Sequence, residues 1–262
     1  MLKHLKEAEA MDIWESYRSR LDGVTERDAA IRRTVSYYDR HLPASPSYEP
    51  VVIDGEKRWV AIINSDNYNE KTLITQHGER IFGGELVEFA DNYWLVTSVD
   101  PRQEIYAKAK LIQCNYVLRW IVDDEYGNKK IVEQHCIVED GTKYLTGETT
   151  SNYAENGMAL GDTRISVTFA RNKYTAKIGR KDRFLIDDYG TEHVLSYRVT
   201  KPFKFGGVYN EHGAMSFVMQ ECNTEKDDNL KLHIADYYKY FPRESEDDKS
   251  GEEDDSGKKV WL

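Results

Sequence analysis

Cysteine is scarce. Cys114, Cys136 and Cys222 are the three among 262 residues, too few and too scattered for a disulfide framework or a zinc site of paired Cys-x-x-Cys type. They read as reduced core residues. Proline is nearly as rare, and Pro43-Ala44-Ser45-Pro46 concentrates two of the six where they stop a helix and open a linker. No apolar run approaches the roughly 20 residues needed to cross a bilayer. The opening Met1-Leu2-Lys3-His4-Leu5-Lys6-Glu7 lacks the apolar stretch of a secretory signal, so a protein made and kept in a cytosol is expected. Positive charge is in deficit: 36 Lys and Arg against 46 Asp and Glu leave a formal charge of −10. That balance argues against a surface that grips nucleic acid through phosphates. An acidic wall beside DNA would instead repel it and keep it moving, as a conduit requires.

Catalytic signatures are missing too. The chain has no Gly-x-Gly-x-x-Gly after a strand, no phosphate loop ending in Gly-Lys-Ser/Thr, no Gly-x-Ser-x-Gly elbow and no His-Glu-x-x-His helix. His135-Cys136 are adjacent, but strand neighbours point to opposite faces and cannot pair as base and nucleophile. Asp123-Asp124-Glu125 and Asp187-Asp188 sit beside Tyr and Gly in turns, where carboxylates are ordinarily solvated, and neither has calcium-loop spacing. A hydrolase using Asp123 and Asp187 is one rival reading. A carbohydrate-binding β module with Trp59, Tyr68, Trp94 and Tyr126 lining a groove is another. The expectation is a protein that is not an enzyme, with no catalytic residue, cofactor or metal.

What the chain does have is aromatic residues, 12% with 18 tyrosines, mixed with 31% charged ones. That mix suits half-buried strands. Residues 1 to about 42 read as helical, with Leu2, Leu5, Ala10, Ile13, Trp14, Tyr17 and Leu21 in one stripe. A second helix starts at Thr25, capped with Asp28, and carries the stripe Ile31, Val35, Tyr38, Leu42. From Tyr48 the period becomes two. Leu111 to Val122 reads as one strand with Ile112, Cys114, Tyr116, Leu118, Trp120 and Val122 on one face, and Ile131–Val138 returns as a hairpin. Beyond a glycine-bearing polar stretch, Ile165, Val167 and Phe169 open a second unit. Leu230, Leu232 and Ile234 alternate again, and Tyr237–Phe241 suggests a strand edge or interface.

The fold class expected is mainly β with an N-terminal helical segment, in antiparallel barrel or sandwich units, possibly two. The boundaries are a helical arm at 1–46, a first β unit at 47–140, a second at 141–242 and an acidic tail at 243–262. Short connections force antiparallel pairing, with the sheet closed or doubled over to protect its edges. A loose internal echo supports two units on one plan. Gly84–Phe89, Tyr93–Thr97 and Gln113-Cys114-Asn115 are followed by Asp182–Ile186, His193–Thr200 and Met219-Gln220-Glu221-Cys222-Asn223. The extra Glu221 would demand a bulge. The tail has nothing to bury until Val260, Trp261 and Leu262, which read as a docking hook for a neighbouring subunit.

The stretch Gly84 to Trp120, with Glu88-Phe89, Tyr93–Thr97, Asp100, Glu104-Ile105-Tyr106, Lys108-Ala109 and Leu111–Trp120, resembles structural proteins of the head and neck of tailed phages and prophages of Gram-positive bacteria. The likeness covers mainly residues 50 to 122. It implies a head-tail connector or head-closure component: small β barrels in a homo-oligomeric ring between portal and tail, passing DNA without reading it. It implies portal, adaptor and tail proteins as partners, no membrane, and a place in the virion neck after assembly in the host cytoplasm. The smallest head-closure proteins are a single barrel of about half this length, so adaptor, stopper, tail-terminator and minor capsid positions stay open.

Overall fold

The computed structural model describes residues 25–140, 164–187, 193–203, 208–209 and 212–242, with Trp14, Tyr17 and Arg18. The first long element is α1 (Glu26–His41). Thr25 caps it as its sequence predicts: the Asp28 amide donates to Thr25 Oγ1 at 3.2 Å and the Thr25 amide to Asp28 Oδ2 at 3.3 Å. Glu26 and Asp28 in the first turn and Arg40 and His41 in the last complement the helix dipole.

Six strands then close into a barrel: β1 (Tyr48–Ile53), β2 (Glu56–Asn64), β3 (Glu70–Thr75), β4 (Leu86–Phe89), β5 (Asn92–Val99) and β6 (Lys108–Gln113). Their spatial order is β1-β2-β3-β6-β5-β4, every pair antiparallel, with β4 returning to β1. Asp54 and Gly55, both at positive φ, make the tight β1–β2 turn. The inward positions Val51, Ile53, Val60, Leu73, Val87, Val96 and Leu111 form the aliphatic core.

A second antiparallel sheet follows: β7 (Tyr116–Asp123), β8 (Lys129–Asp140), β9 (Arg164–Ala170), β10 (Arg183–Asp187), β11 (Val194–Phe203) and β13 (His212–Cys222), with β12 (Val208–Tyr209) as a hairpin on β13. The order β10-β11-β13-β9-β8-β7 repeats that of the first barrel read from β4 to β1. The registers repeat as well. Val96 faces Leu111 as Val199 faces Met219, and Leu73 faces Ala109 as Val167 faces Phe217. Val60 faces Thr75 as Cys136 faces Phe169, and Pro50 faces Trp59 as Val117 faces His135. The internal echo in the sequence is therefore two copies of one barrel plan. In that alignment Cys114 matches Cys222 and Glu221 matches Gln113, so Glu221 needs no bulge. The register shift falls instead at the threonine of each Val-Thr pair, where the Thr97 and Thr200 hydroxyls donate across to the Lys110 and Val218 carbonyls.

The copies differ in filling. Ile53, Thr75, Val87 and Ala109 in the first barrel correspond to Trp120, Phe169, Phe184 and Phe217 in the second. There Trp120 packs 6.1 Å from Phe169 and 6.0 Å from Phe184, centroid to centroid. A seam accompanies this bulkier core. Where β1 and β4 share backbone pairing, β7 and β10 are bridged by Tyr116, whose hydroxyl donates to Asp187 Oδ1 at 2.6 Å and accepts from the Asp187 amide at 3.2 Å.

Three expectations need correction. The boundary at residue 140 moves to Cys114-Asn115, because β7 and β8 pair into the second barrel. Leu111–Val122 is two strands, and its buried face switches: Ala109 and Leu111 fill one barrel, while Leu118, Trp120 and Val122 fill the other. At the C-terminal end, Leu230 and Leu232 are exposed in turns enclosed by the isolated bridge Asn229–Ile234, and Tyr237–Tyr240 is a short helix, α2, rather than a strand edge.

Candidate assembly surface

The joint between the barrels begins with the two residues that separate them. The Cys114 amide donates back to Tyr93 O at 2.8 Å, and the Asn115 amide forward to Cys136 O at 3.1 Å. The Asn115 side chain holds both backbone groups of Val138 at 2.7 Å. Leu95, Ile137 and Ala214 are buried between the barrels, with Ile112, Cys114 and Ala170 packed against them. Two ring pairs flank this patch: Tyr93 on His135 at 3.6 Å and Phe82 on His212 at 4.6 Å. Gly84 sits at φ +86°, and a Cβ there would lie 2.2 Å from the Gly213 carbonyl oxygen, so only glycine permits the approach.

His135 and Cys136 point to opposite faces, His135 onto Tyr93 and Cys136 into the second core. Burial pushes the Cys114 thiol up to about 12 and raises Cys136 as well, so both remain protonated thiols at neutral pH. The turn acids have local duties. Asp123 pairs with Lys129 at 2.5 Å, Asp124 accepts from the Tyr126 and Asn128 amides, and Glu125 pairs with Lys173. Asp187 serves Tyr116 at the opposite end of β7 from Asp123, roughly 23 Å away at strand rise, too far for a carboxylate pair separated by about 5–10 Å. Asp188 lies outside the described residues, as do Val260, Trp261 and Leu262.

Of the aromatics singled out from sequence, Trp94 is core, whereas Trp59 is 51% exposed, Tyr68 99% and Tyr126 89%. They stand on different elements: β2, the β2–β3 turn and the β7–β8 turn. Trp59 stacks on Tyr48 across the outer face of the first barrel, centroids 5.4 Å apart. Beside it lies α1, none of whose residues is buried. Among the described residues, polar and ring contacts tie the helix to the barrel: Arg27 to Glu104 at 3.2 Å, Tyr38 Oη donating to Thr75 O at 2.9 Å, and Tyr38 stacked on Tyr106 at 4.9 Å. Burial pushes the Tyr38 hydroxyl up to about 12, which keeps it a neutral donor.

Sequence reasoning missed one cluster. Arg183 leaves β10 on the face opposite the core residue Phe184 and holds Asp228 through two bonds, 3.1 and 2.6 Å, and Asp236 at 2.9 Å. Asp228 also accepts the Glu225 and Asp236 amides, so this network latches residues 223–241 onto the second barrel. The only signal was an arginine opening the otherwise apolar run Phe184-Leu185-Ile186.

No group of three or more His, Cys, Asp or Glu able to hold a metal ion occurs among the described residues. No helix among them is long and apolar enough to cross a membrane.

Compared with known proteins, residues 27–113 match the family described as the YomX N-terminal domain, a span that takes in α1 and the first barrel and stops at the last residue of β6. The SPbeta prophage-derived uncharacterized protein YomX of Bacillus subtilis (strain 168) is 26% identical over 191 residues, 68% of this chain and 84% of that protein. No solved structure matches. Both matches support a phage-derived protein.

Proposed function

We propose that the chain is a virion structural protein of a tailed phage, a ring-forming subunit of the neck that joins portal to tail and lets DNA pass. The observation that carries this reading is the tandem of same-plan antiparallel barrels, held face to face by a buried apolar patch. Such units leave few open strand edges and offer outer faces for contact. The likeness to a prophage-derived protein adds to it. The net charge of −10 suits a wall that DNA slides past. The ring works in the virion neck, after assembly in the host cytoplasm, with portal or adaptor and tail proteins as its neighbours.

Deleting the gene from an inducible prophage and imaging the particles tests the reading. Heads that lose DNA or lack tails are the expected outcome, and intact, DNA-filled, tailed virions overturn it. The half-exposed Trp59 stacked on Tyr48 favours one second reading, a carbohydrate-binding module of a tail tip. A glycan array on the purified chain separates the two: binding lost in Trp59→Ala supports the module, and an empty array removes it.

A further inference from the structure

Because the two barrels share a plan, each face of one has a counterpart on the other. Within the chain the first barrel presents Tyr93, Leu95, Ile112 and Cys114, and the second receives them on His135, Ile137, Ala170 and Ala214. Carried through the shared registers, the receiving residues His135, Ile137 and Ala214 fall on Trp59, Ala61 and Tyr106 of the first barrel. The presenting residues Leu95 and Ile112 fall on Arg198 and Gln220 of the second. So the chain has one made joint and the two halves of another, the second half being open at Arg198 and Gln220 and covered at the neighbouring Arg183 by residues 223–241.

Helix α1 lies over part of the unused receiving half. Its anchors are the Thr75 carbonyl, the counterpart of Phe169, Tyr106, which precedes the Ala107–Thr75 pairing as Ala214 precedes Met215–Phe169, and Glu104 in the bend before β6. The helix thus sits on the first barrel where the first barrel sits on the second. Its hold is modest, since the Arg27–Glu104 pair is exposed on both sides and the stripe Ala29, Ile31, Val35 and Tyr38 is half-buried, with no helix residue fully buried. Trp59 at the edge of the same face stays half open. An exposed aromatic ring is what the other half fits. Arg198 is about half exposed, with its nearest acid, Glu225, at 3.9 Å, and a guanidinium stacks well on an indole.

We propose that copies of this chain join head to tail, the Trp59 face of the first barrel receiving the Arg198 face of a neighbour's second barrel, in a repeat of the chain's own joint, with α1 as the strap that must move aside. A heterologous contact of this kind closes into a ring or runs on as a filament. The inference rests on the ring reading above for closure. The two fail separately, because particles lacking the chain report on the neck while sedimentation of the purified chain reports on this contact.

The experiment is sedimentation velocity on the full chain and its variants, each first checked for an unchanged melting transition. Tyr38→Ala removes one hydrogen bond and one ring stack from the strap, and self-association should tighten by about tenfold. Tyr38→Phe, which keeps the stack, should fall between it and the native chain. In the Tyr38→Ala background, Trp59→Ala and Arg198→Glu should each sediment as monomers. Mixed one to one, they retain a single good pair of faces and should form a dimer that grows no further. Arg198→Gln gives the same readout if Arg198→Glu folds poorly. A mixture that stays monomeric overturns the proposal. So does association that survives Arg198→Glu, which would mean a symmetric Trp59 contact, or a Tyr38→Ala chain that does not associate at all.

Discussion

Replacing Arg183 by methionine tests what holds the C-terminal segment on the second barrel. The guanidinium is 4% exposed and the Asp228 carboxylate 0%, and the two form a bidentate pair with Asp236 and Glu225 alongside. Methionine keeps most of the volume and removes the charge, which strands Asp228 as a buried anion held only by the Glu225 and Asp236 amides. Breaking a buried pair from one side typically costs about 3–5 kcal/mol. For a chain of this size that corresponds to a fall in melting temperature of roughly 10 °C. The decisive comparison is the double variant Arg183→Met with Asp228→Asn. It removes both charges while the asparagine oxygen still accepts an amide, so most of the loss should return. Urea unfolding of the full chain, read as the midpoint at unchanged slope, measures both variants. A single-variant cost below about 1 kcal/mol, the range of an exposed pair, would mean that water reaches the cluster and that the latch reasoning is wrong. A double variant no better than the single would place the energy in packing instead of charge.

Three further outcomes follow from the packing and the joint. Trp120→Ala empties the space between Phe169 and Phe184 and should cost about 3–5 kcal/mol in urea unfolding, whereas a neutral result would disprove the face assignment. Gly84→Ala must abandon φ +86° or push Gly213 away, and should cost about 1–3 kcal/mol; a silent substitution would show that the barrels do not approach there. His135 is held below its ordinary pKa by burial, against the opposing pull of Glu88 and Glu133. Its neutral form is favoured on folding, so its contribution is full above the unfolded value of about 6.5 and is lost as pH falls through it. Between pH 7.5 and 5.5 the native chain should therefore lose more stability than His135→Phe, which keeps the ring on Tyr93, and equal losses would refute this.

Much of the architecture was written locally. Thr25 and Asp28 announce the cap of α1, the acidic glycine turn after Val122 announces the β7–β8 hairpin, and the repeated Val-Thr and Cys-Asn pairs mark equivalent points of two barrels. What stayed hidden had a physical reason each time. Residues 109–122 are apolar on both faces because the chain passes from one core to another, so Ile112 and Cys114 looked like partners of Trp120 when they pack at the joint. The equivalence of Ile53 with Trp120 and of Thr75 with Phe169 shares no side-chain chemistry, only register. The candidate surface was half legible: Trp59 was noticed as an aromatic, but that it occupies the counterpart of His135 follows only from pairing.

The seam of the second barrel gives the molecule a grain. The first barrel is hooped by main-chain bonds all the way round, while the second is riveted along one line by the side chains of Tyr116 and Asp187. Load carried through the chain should split it along that line before anything else gives way. Amides of β7 and β10 should then exchange with solvent earlier than those of β1 and β4, and Tyr116→Phe should widen the difference.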